Sequence, residues 1–367
     1  MPEPLKNLYS QQFFEQLSSV LDDVIPGFDT TQFVEKIFDS DWEQRELKER
    51  MKHIANVLHD FMPNDYILAV SILSEIADAT KQTPLEKMSL EFMFLPQYIE
   101  TFGLDHFDDS VWAMEQITPF ASCEFAVRPF IVRYPEKMMK QMLYWSGHEN
   151  HHLRRFASEG CRPRLPWAMA LPEFKKNPEP VLPILEKLKA DSSEYVRRSV
   201  ANNLNDIAKD HPQLVLELCR RWKGKSGETD WIVKHACRTL LKKAHPGALE
   251  LFGYTEPDEI SVTDFKLQRK VKIGGKLEFG FYVENNGDKP VTLRIEYAID
   301  YMKLNGSKSR KIFKITENYA EAKSRLTYNR TQSFRNMTTR KHYPGKHRLA
   351  IIVNGRQMVS GDFNVTA

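Results

Sequence analysis

Apolar residues in the first two thirds of the chain recur with the period of an α-helix. Between Phe13 and Val24 they fall at positions i, i+1, i+4, i+7, i+8 and i+11, which places them on one helical face. Similar spacing continues from residue 9 to about residue 250, and Pro or Gly residues interrupt it at short intervals. This pattern predicts a region that is almost entirely helical.

The second half of this region contains a sequence repeat. Residues 194–204 align with residues 230–240 at an offset of 36, and each run leads to a His-Pro pair. A weaker copy, residues 150–157, sits 43 residues before the first. Such offsets are typical of HEAT-type helical hairpins, which stack into a solenoid with a concave face. The alternative is an irregular helical domain with a chance similarity between segments.

After Gly253 the apolar period changes from 3.6 to 2. Apolar and polar residues alternate over 277–283 and over 291–299, and Asn354-Gly355 is a signal for a tight hairpin. Short strands with frequent turns favour an immunoglobulin-like sandwich. We therefore expect a mainly α chain, with a HEAT-like α-helical solenoid at 1–253 and a C-terminal all-β immunoglobulin-like sandwich at 256–367.

Charge is distributed unevenly along the chain, although the formal net charge is only +3. Residues 1–149 carry 12 Lys and Arg against 25 Asp and Glu, residues 150–250 carry 19 against 12, and residues 251–367 carry 21 against 12. An acidic segment followed by basic ones is typical of a chain that binds a polyanion with its middle and its end. An ordinary fluctuation of charge is the alternative.

Composition also bears on the compartment and on cofactors. Of the 367 residues 41% are hydrophobic, and no apolar run is long enough to span a bilayer. The four cysteines form no Cys-x-x-Cys pair, which argues against a disulfide framework and a thiolate zinc site. The start of the chain has no signal-peptide pattern. We expect a cytoplasmic monomer without a membrane partner and without a cofactor or metal.

One motif points to a different class of enzyme. His148-Glu149-Asn150-His151-His152 satisfies the His-Glu-x-x-His pattern, in which two histidines on one helical face bind zinc beside a glutamate base. Gly147 immediately before the motif indicates a helix boundary, and no third ligand is evident downstream. Histidines near the start of a helix, facing solvent or DNA, are the interpretation that we favour over a zinc hydrolase.

The segment that follows, residues 153–167, contains four arginines, one acid and Trp167 after a proline break. A tryptophan in this position commonly fills the core between repeats. The alternative is a stacking or cation-facing surface beside DNA.

Three segments, residues 122–130, 153–167 and 196–206, closely resemble the AlkC-type DNA alkylation-repair glycosylases. That family is a HEAT-like solenoid, and a subset carries a C-terminal immunoglobulin-like domain. The resemblance covers essentially the whole chain. It implies a bacterial, nucleoid-associated enzyme that cleaves the N-glycosidic bond of cationic N-alkylated bases in double-stranded DNA, principally 3-methyladenine and 3-methylcytosine. It also implies that the base is released without a base-flipping pocket.

The resemblance assigns roles to individual positions. Glu124, Glu159 and Asp206 match the active-site acids, and Trp167 matches the active-site aromatic residue. Arg155 and Arg162 match arginines that contact DNA. Further candidates for DNA binding are Arg154, Arg164, Arg197, Arg198 and Lys234, together with Arg340 and Lys341 of the sandwich, which we expect to clamp the duplex.

These residue types suit such chemistry on physical grounds. An alkylated base is already cationic and leaves readily, so the enzyme must stabilise a positively charged, oxocarbenium-like sugar, and carboxylates can do so. Each acid also has a structural alternative, since Glu124 could cap a helix and Asp206 could be a solvated residue near a helix end. A HEAT-repeat protein that binds nucleic acid without catalysis is the competing function.

Overall fold

The computed structural model describes residues 4–254, 258–337 and 340–367. Up to Leu251 the described chain is helical, and from Ile260 it consists of strands. The α-helices are α1 Gln11–Val24, α2 Thr30–Ile37, α3 Leu47–His59, α4 Tyr66–Thr80, α5 Phe94–Phe102, α6 Phe107–Ile117, α7 Val127–Arg133, α8 Pro135–Trp145, α9 His151–Gly160, α10 Pro172–Lys176, α11 Leu182–Leu188, α12 Glu194–Ile207, α13 Pro212–Trp222, α14 Gly227–Ala236, α15 Arg238–Lys242 and α16 Pro246–Leu251. Short 3-10 helices lie at Leu5–Leu8, Trp42–Gln44, Pro84–Lys87, Glu91–Met93 and Glu179–Val181.

The predicted sequence repeat corresponds to three helices. Its copies fall on α9, α12 and α14, and α12 packs against both of the others. The last copy is longer than α14 and continues into α15. The His-Pro pairs place Pro212 and Pro246 at the first position of α13 and α16, where a missing backbone N–H costs nothing. The HEAT-like arrangement predicted for this region is confirmed.

The helices begin where the sequence provides capping groups. The Asp65 side chain accepts hydrogen bonds from the backbone N–H groups of Ile67 and Leu68 at the start of α4. The Asn150 side chain does the same for His152 at the start of α9, at 2.9 Å. No helix of the described residues is long and apolar enough to cross a membrane.

The strands form two sheets that enclose a common core. They are β1 Ile260–Leu267, β2 Lys270–Lys272, β3 Lys276–Asn285, β4 Val291–Met302, β5 Lys308–Ala320, β6 Arg325–Ser333, β7 Gly345–Val353 and β8 Arg356–Thr366. One sheet has the order β1-β3-β6 and the other β2-β8-β7-β4-β5. All pairings are antiparallel except β2 with β8. The alternating apolar residues of β3 and β4 meet in the core, so the predicted sandwich is confirmed.

The predicted hairpin joins β7 to β8. Asn354 and Gly355 both have positive φ values, 45° and 83°, as a two-residue type I′ turn requires. The Asn354 side chain accepts from the Arg294 backbone N–H at 2.7 Å and donates to the Thr292 carbonyl at 3.1 Å. The turn is therefore fixed to β4.

The described chain divides into two compact units. One contains the described residues up to Val215 together with Arg221–Ala236, and the other contains Leu216–Arg220 and the described residues from Cys237 onward. Helices α15 and α16 thus belong with the strands. Gly355 lies against them, since a Cβ added to it would be 2.6 Å from Ala244 Cβ and 3.1 Å from Leu249 Cδ1. The boundary at 253–256 stays a prediction from the sequence.

We predict that Gly355→Ala destabilises the protein more than Gly306→Ala. Both glycines have φ near +80°, so both variants incur the left-handed strain of about 1–2 kcal/mol. Only the Gly355 variant adds a steric clash, which should cost about a further 1–3 kcal/mol. Thermal unfolding midpoints of the two full-length variants test this. Equal midpoints would show that the turn does not pack against α16 in solution.

Candidate functional site

Helix α9 carries alternating charges on one face. Arg155 and Glu159 are four residues apart on the helix, and Arg162 follows just beyond its end. Residues three and four apart lie on the same side of a helix, so these side chains point the same way. That side faces α12, which contributes Asp206 from its last turn. The packing of α9 on α12 therefore brings together residues that are 44 positions apart in sequence.

The acids and bases form a continuous chain of ion pairs, which we call the charge chain: Glu124, Arg155, Glu159, Arg162, Asp206 and Lys209. The Arg155 guanidinium donates to Glu124 and lies 3.6 Å from Glu159 Oε1. Arg162 donates to Glu159 Oε1 at 2.6 Å and to Asp206 Oδ2 at 3.0 Å, and Lys209 Nζ lies 2.9 Å from Asp206 Oδ1. Three carboxylates thus alternate with three cations.

Burial makes this pairing necessary. The side chains of Glu159 and Asp206 are only 7% and 3% exposed, and an unpaired charge in such a place costs several kcal/mol. Burial by itself would lower the pKa of Arg162, but the carboxylates of Glu159 and Asp206 outweigh it and raise that pKa. Burial likewise lowers the pKa of Arg155, but the carboxylates of Glu124 and Glu159 outweigh it and raise that pKa. The arginines therefore remain fully charged beside the acids.

The structure tests the two structural alternatives for Glu124 and Asp206. Glu124 lies in a turn before α7, whose N-cap position is Ala126, and it accepts from Ser122 Oγ at 2.9 Å as well as from Arg155. Asp206 is buried rather than solvated. The alternatives of a capping residue and a solvated helix-end residue are both wrong.

Trp167 lies in the loop between α9 and α10 and is 61% exposed. Its backbone has a φ of 67°, a left-handed conformation that is costly for a bulky residue. Lys48 Nζ donates to its carbonyl at 2.9 Å and also lies 5.5 Å from the centre of the Phe125 ring. The alternative of a core-filling tryptophan is wrong, because this loop holds the indole in solvent.

Arg128 connects the Trp167 loop to α9, and it was not among the predicted site residues. Its side chain is fully buried, donates to the Gly160 carbonyl at 2.8 Å and donates to the Met169 carbonyl at 2.6 Å. It forms no ion pair with any described residue, and burial lowers its pKa to about 10. Arg128 therefore fixes the end of the helix that carries Glu159 against the loop that carries Trp167.

Tyr195 is a second residue that sequence reasoning missed. It lies in the first turn of α12, is partly exposed, and its ring centre is 5.0 Å from the Arg155 guanidinium carbon. Burial and the nearby acids raise its pKa, and Arg155 opposes them. Tyr195 lies within the first repeat, residues 194–204, immediately before the segment that resembles the family. This position was the sequence feature that could have identified it.

The other arginines predicted to bind DNA have protein partners. Arg154 forms a two-point contact with Asp191, at 2.6 and 3.0 Å, and Arg164 contacts both oxygens of Asp210, at 2.5 and 2.7 Å. Arg197 donates to the backbone carbonyls of Asp191 and Ser192.

The last four predicted cations lie outside the charge chain. Arg198 pairs with Glu194 on an exposed face, and Lys234 is half-buried in the last turn of α14. Arg340 and Lys341 precede β7 in the other unit. The structure thus brings Arg155 and Arg162 together with the acids in the charge chain.

The His-Glu-x-x-His pattern does not form the helical pair that a zinc hydrolase needs. Helix α9 begins at His151, so His148 lies before it, and its Nδ1 accepts from the Asn150 backbone N–H at 3.0 Å. Within the described ranges no three His, Cys, Asp or Glu residues are grouped as metal ligands. The expectation of histidines near a helix start is confirmed.

Family models match two segments of the chain. A model described as a DNA alkylation repair enzyme matches residues 113–240, which contain the three acids and Trp167. A second, described as the C-terminal Ig-like domain of the uncharacterised protein YhaZ, matches residues 261–367.

Two relatives match over nearly the whole length. The uncharacterized protein YhaZ of Bacillus subtilis (strain 168) is 45% identical over 362 residues, covering 98% of this chain and 99% of that protein. The structure of Pseudomonas fluorescens alkylpurine DNA glycosylase AlkC, bound to DNA containing an abasic site analogue, has a TM-score of 0.94 and 36% identity over 100% of both chains. The chain therefore belongs to the AlkC-type DNA alkylation-repair family, in which helical repeats precede a C-terminal Ig-like domain.

Proposed function

We propose that the protein is a monofunctional DNA glycosylase that hydrolyses the N-glycosidic bond of cationic N-alkylated bases, 3-methyladenine and 3-methylcytosine, in duplex DNA. The observation that carries this proposal is the convergence of Glu124, Glu159 and Asp206 within the charge chain of a molecule 36% identical to an alkylpurine glycosylase. We also propose that it acts as a monomer in the bacterial cytoplasm, on nucleoid DNA.

Carboxylates supply what this reaction needs. The alkylated base departs as a neutral molecule and leaves positive charge on the sugar. A carboxylate about 4 Å from that charge contributes about 4 kcal/mol at an effective dielectric of about 20. Such a stabilisation corresponds to a roughly thousandfold increase in the rate of base release. The arginines of the charge chain reduce this contribution, so it is an upper value.

Trp167 provides a second source of stabilisation. An exposed indole can place its electron-rich face against the positive sugar, which contributes about 0.5–2 kcal/mol. The same ring can stack on a base or fill the gap in a bent duplex. Its exposure supports the proposal that the sugar is approached from outside, without a closed base pocket.

Water must attack the sugar once the base has left. Glu159 or Asp206 would orient that water, because both carboxylates are held rigidly by Arg162. Lys209 is the lysine beside the acids, and its ammonium is engaged by Asp206 at 2.9 Å. A lysine ion-paired in this way is a poor nucleophile, so we expect no Schiff base and no strand cleavage.

DNA binding would use the basic residues of both units. Arg155 and Arg162 would lie closest to the reacting sugar, with Arg154, Arg164, Arg197, Arg198 and Lys234 as further contacts to phosphates. In the sandwich, Arg340 and Lys341 would hold the duplex as a clamp. Partners that already engage Arg154 and Arg164 make these two the weakest of the set.

A second function is favoured by one observation. Every carboxylate of the charge chain is neutralised by a cation, as in a purely structural network. A HEAT-repeat protein that binds damaged DNA and releases no base would use the same surface.

Asp206→Asn should lower the rate of base release up to about a thousandfold, because it removes the most buried negative charge near the sugar. The measurement is single-turnover release of 3-methyladenine from duplex DNA. Asp210→Asn is the matched control, since it removes an acid that pairs with Arg164 outside the charge chain. A parental rate in the Asp206 variant would exclude this residue from catalysis.

Trp167→Ala should lower the single-turnover rate by about 2-fold to 30-fold and leave the unfolding midpoint nearly unchanged, because the indole is exposed. Trp112→Ala removes another exposed tryptophan, on α6, and should alter neither quantity. A large loss of stability in the Trp167 variant would indicate a packing role instead.

Arg128→Lys should lower the single-turnover rate about 10-fold to 100-fold, because lysine cannot bridge the Gly160 and Met169 carbonyls as the guanidinium does. Duplex affinity should change less than about twofold, since this fully buried side chain cannot reach DNA. Arg133→Lys, at the exposed end of the same helix, is the control. Equal losses of rate and affinity would contradict a positioning role.

A further inference from the structure

The sandwich contains a cleft of about 240 Å³ that is lined by positive charge. We call it the cationic cleft, and its functional groups belong to Tyr301, Lys303, Ser309, Lys311, Arg340 and Lys341. It lies where the end of β4, the edge strand β5 and the segment before β7 meet. Nothing in the chemistry of base release uses this cleft.

The register of the sheet explains how polar groups reach this place. Ser309 pairs with Tyr301 and Lys311 pairs with Ile299, so both point to the face on which β4 buries its core residues. On β4 these positions are buried, whereas on the edge strand β5 Ser309 is half-buried and Lys311 is exposed. Lys311 therefore lies on the core-facing side of the sheet, on its edge strand β5.

The charge of the cleft is not compensated. Lys303, Lys311, Arg340 and Lys341 supply four cations, no acid lines the cleft, and none of the four forms an ion pair within the described residues. The pKa of the neighbouring His342 is lowered by burial, and Arg340, His347 and Lys311 lower it further. Four like charges held close together repel each other unless an anion joins them.

Two buried polar atoms in the cleft also lack partners. Arg340 Nε is buried and has no hydrogen-bond partner among the described residues, while the guanidinium lies 5.3 Å from the centre of the Tyr301 ring. Tyr301 is 7% exposed, and its hydroxyl has no hydrogen-bond partner in the part of the chain that the structure describes. Burial raises the pKa of Tyr301 to about 12, with Arg340 opposing the rise. A buried donor without an acceptor is unfavourable, and an anionic ligand would supply the missing acceptor.

We propose that the cationic cleft is a binding site for one phosphate group, and that in the complex with DNA this group is a backbone phosphate. The guanidinium of Arg340 would supply directed hydrogen bonds, the lysines would supply point charges, and the Tyr301 and Ser309 hydroxyls would complete the shell. A volume of about 240 Å³ admits a phosphate with part of its sugar.

A protective role explains less of this arrangement. Inward-pointing lysines are a known means of preventing edge strands from pairing with other chains, and Lys311 on β5 fits that description. Protection does not require Arg340 and Tyr301 to keep unsatisfied polar atoms beneath the surface. An anionic ligand that accepts hydrogen bonds accounts both for the inward-pointing lysine and for the unsatisfied polar atoms of Arg340 and Tyr301.

Two measurements on the full-length chain test the proposal. Inorganic phosphate is titrated at constant ionic strength while amide NMR signals of Ser309 and Lys311 are followed, and these signals should shift saturably in the parent but not in Lys311→Gln/Lys341→Gln. Separately, the association constant for undamaged duplex DNA is measured as a function of salt. In the double variant the slope of log K against log salt should become shallower by about 0.9, the value for one lost phosphate contact.

Lys314→Gln is the matched control, because Lys314 belongs to the same strand but pairs opposite Glu296, on the other face of the sheet. It should leave both the NMR titration and the salt slope as in the parent. Saturable shifts with an unchanged slope would confirm a phosphate site and overturn DNA as the source. Absence of both effects would overturn the site itself.

The choice of DNA as the source of the phosphate rests on the proposed function. The proposal that the cleft binds a phosphate group does not. Undamaged duplex is used so that the outcome is independent of base release. A chain that binds duplex through the cleft but releases no base would contradict the proposed glycosylase and leave this site standing.

Discussion

The burial of Glu159 and Asp206, together with the half-buried Glu124 in the turn before α7, is the constraint on which the site depends. Each acid needs a cation at hydrogen-bond distance, and each arginine between them serves two acids. The charge chain therefore ties the turn before α7, the face of α9 and the end of α12 into one assembly. Removing one member leaves its neighbours with an unbalanced charge in a place where water is scarce.

This constraint also shapes the chemistry. In the proposed reaction, a fully neutralised set of acids would attract a cation less strongly than bare carboxylates, but it would be rigid and would need no reorganisation as positive charge develops. Arg128 and Lys48 extend the same rigidity to the loop of Trp167, whose left-handed backbone persists because both residues anchor its surroundings. The Trp167 loop is thus held by Arg128 and Lys48, two residues outside the charge chain.

The sequence was sufficient for elements that depend on local pattern. The repeat on α9, α12 and α14, the change to strands after Gly253 and the Asn354-Gly355 turn all follow from periodicity and backbone preference. Partners that are distant in sequence could not be predicted. Asp191 engages Arg154 from 37 residues away, and Lys48 reaches the Trp167 carbonyl from 119 residues away. Counting arginines in the sequence therefore could not show which of them have protein partners.

The products that the native protein forms from methylated duplex DNA test most directly whether the charge chain and Trp167 together make a glycosylase. We expect free 3-methyladenine and 3-methylcytosine in solution, abasic sites in the DNA, and strands that stay intact until they are treated with alkali. DNA that is bound by the protein while every alkylated base stays attached would contradict the account, and the chain would then be a reader of damage.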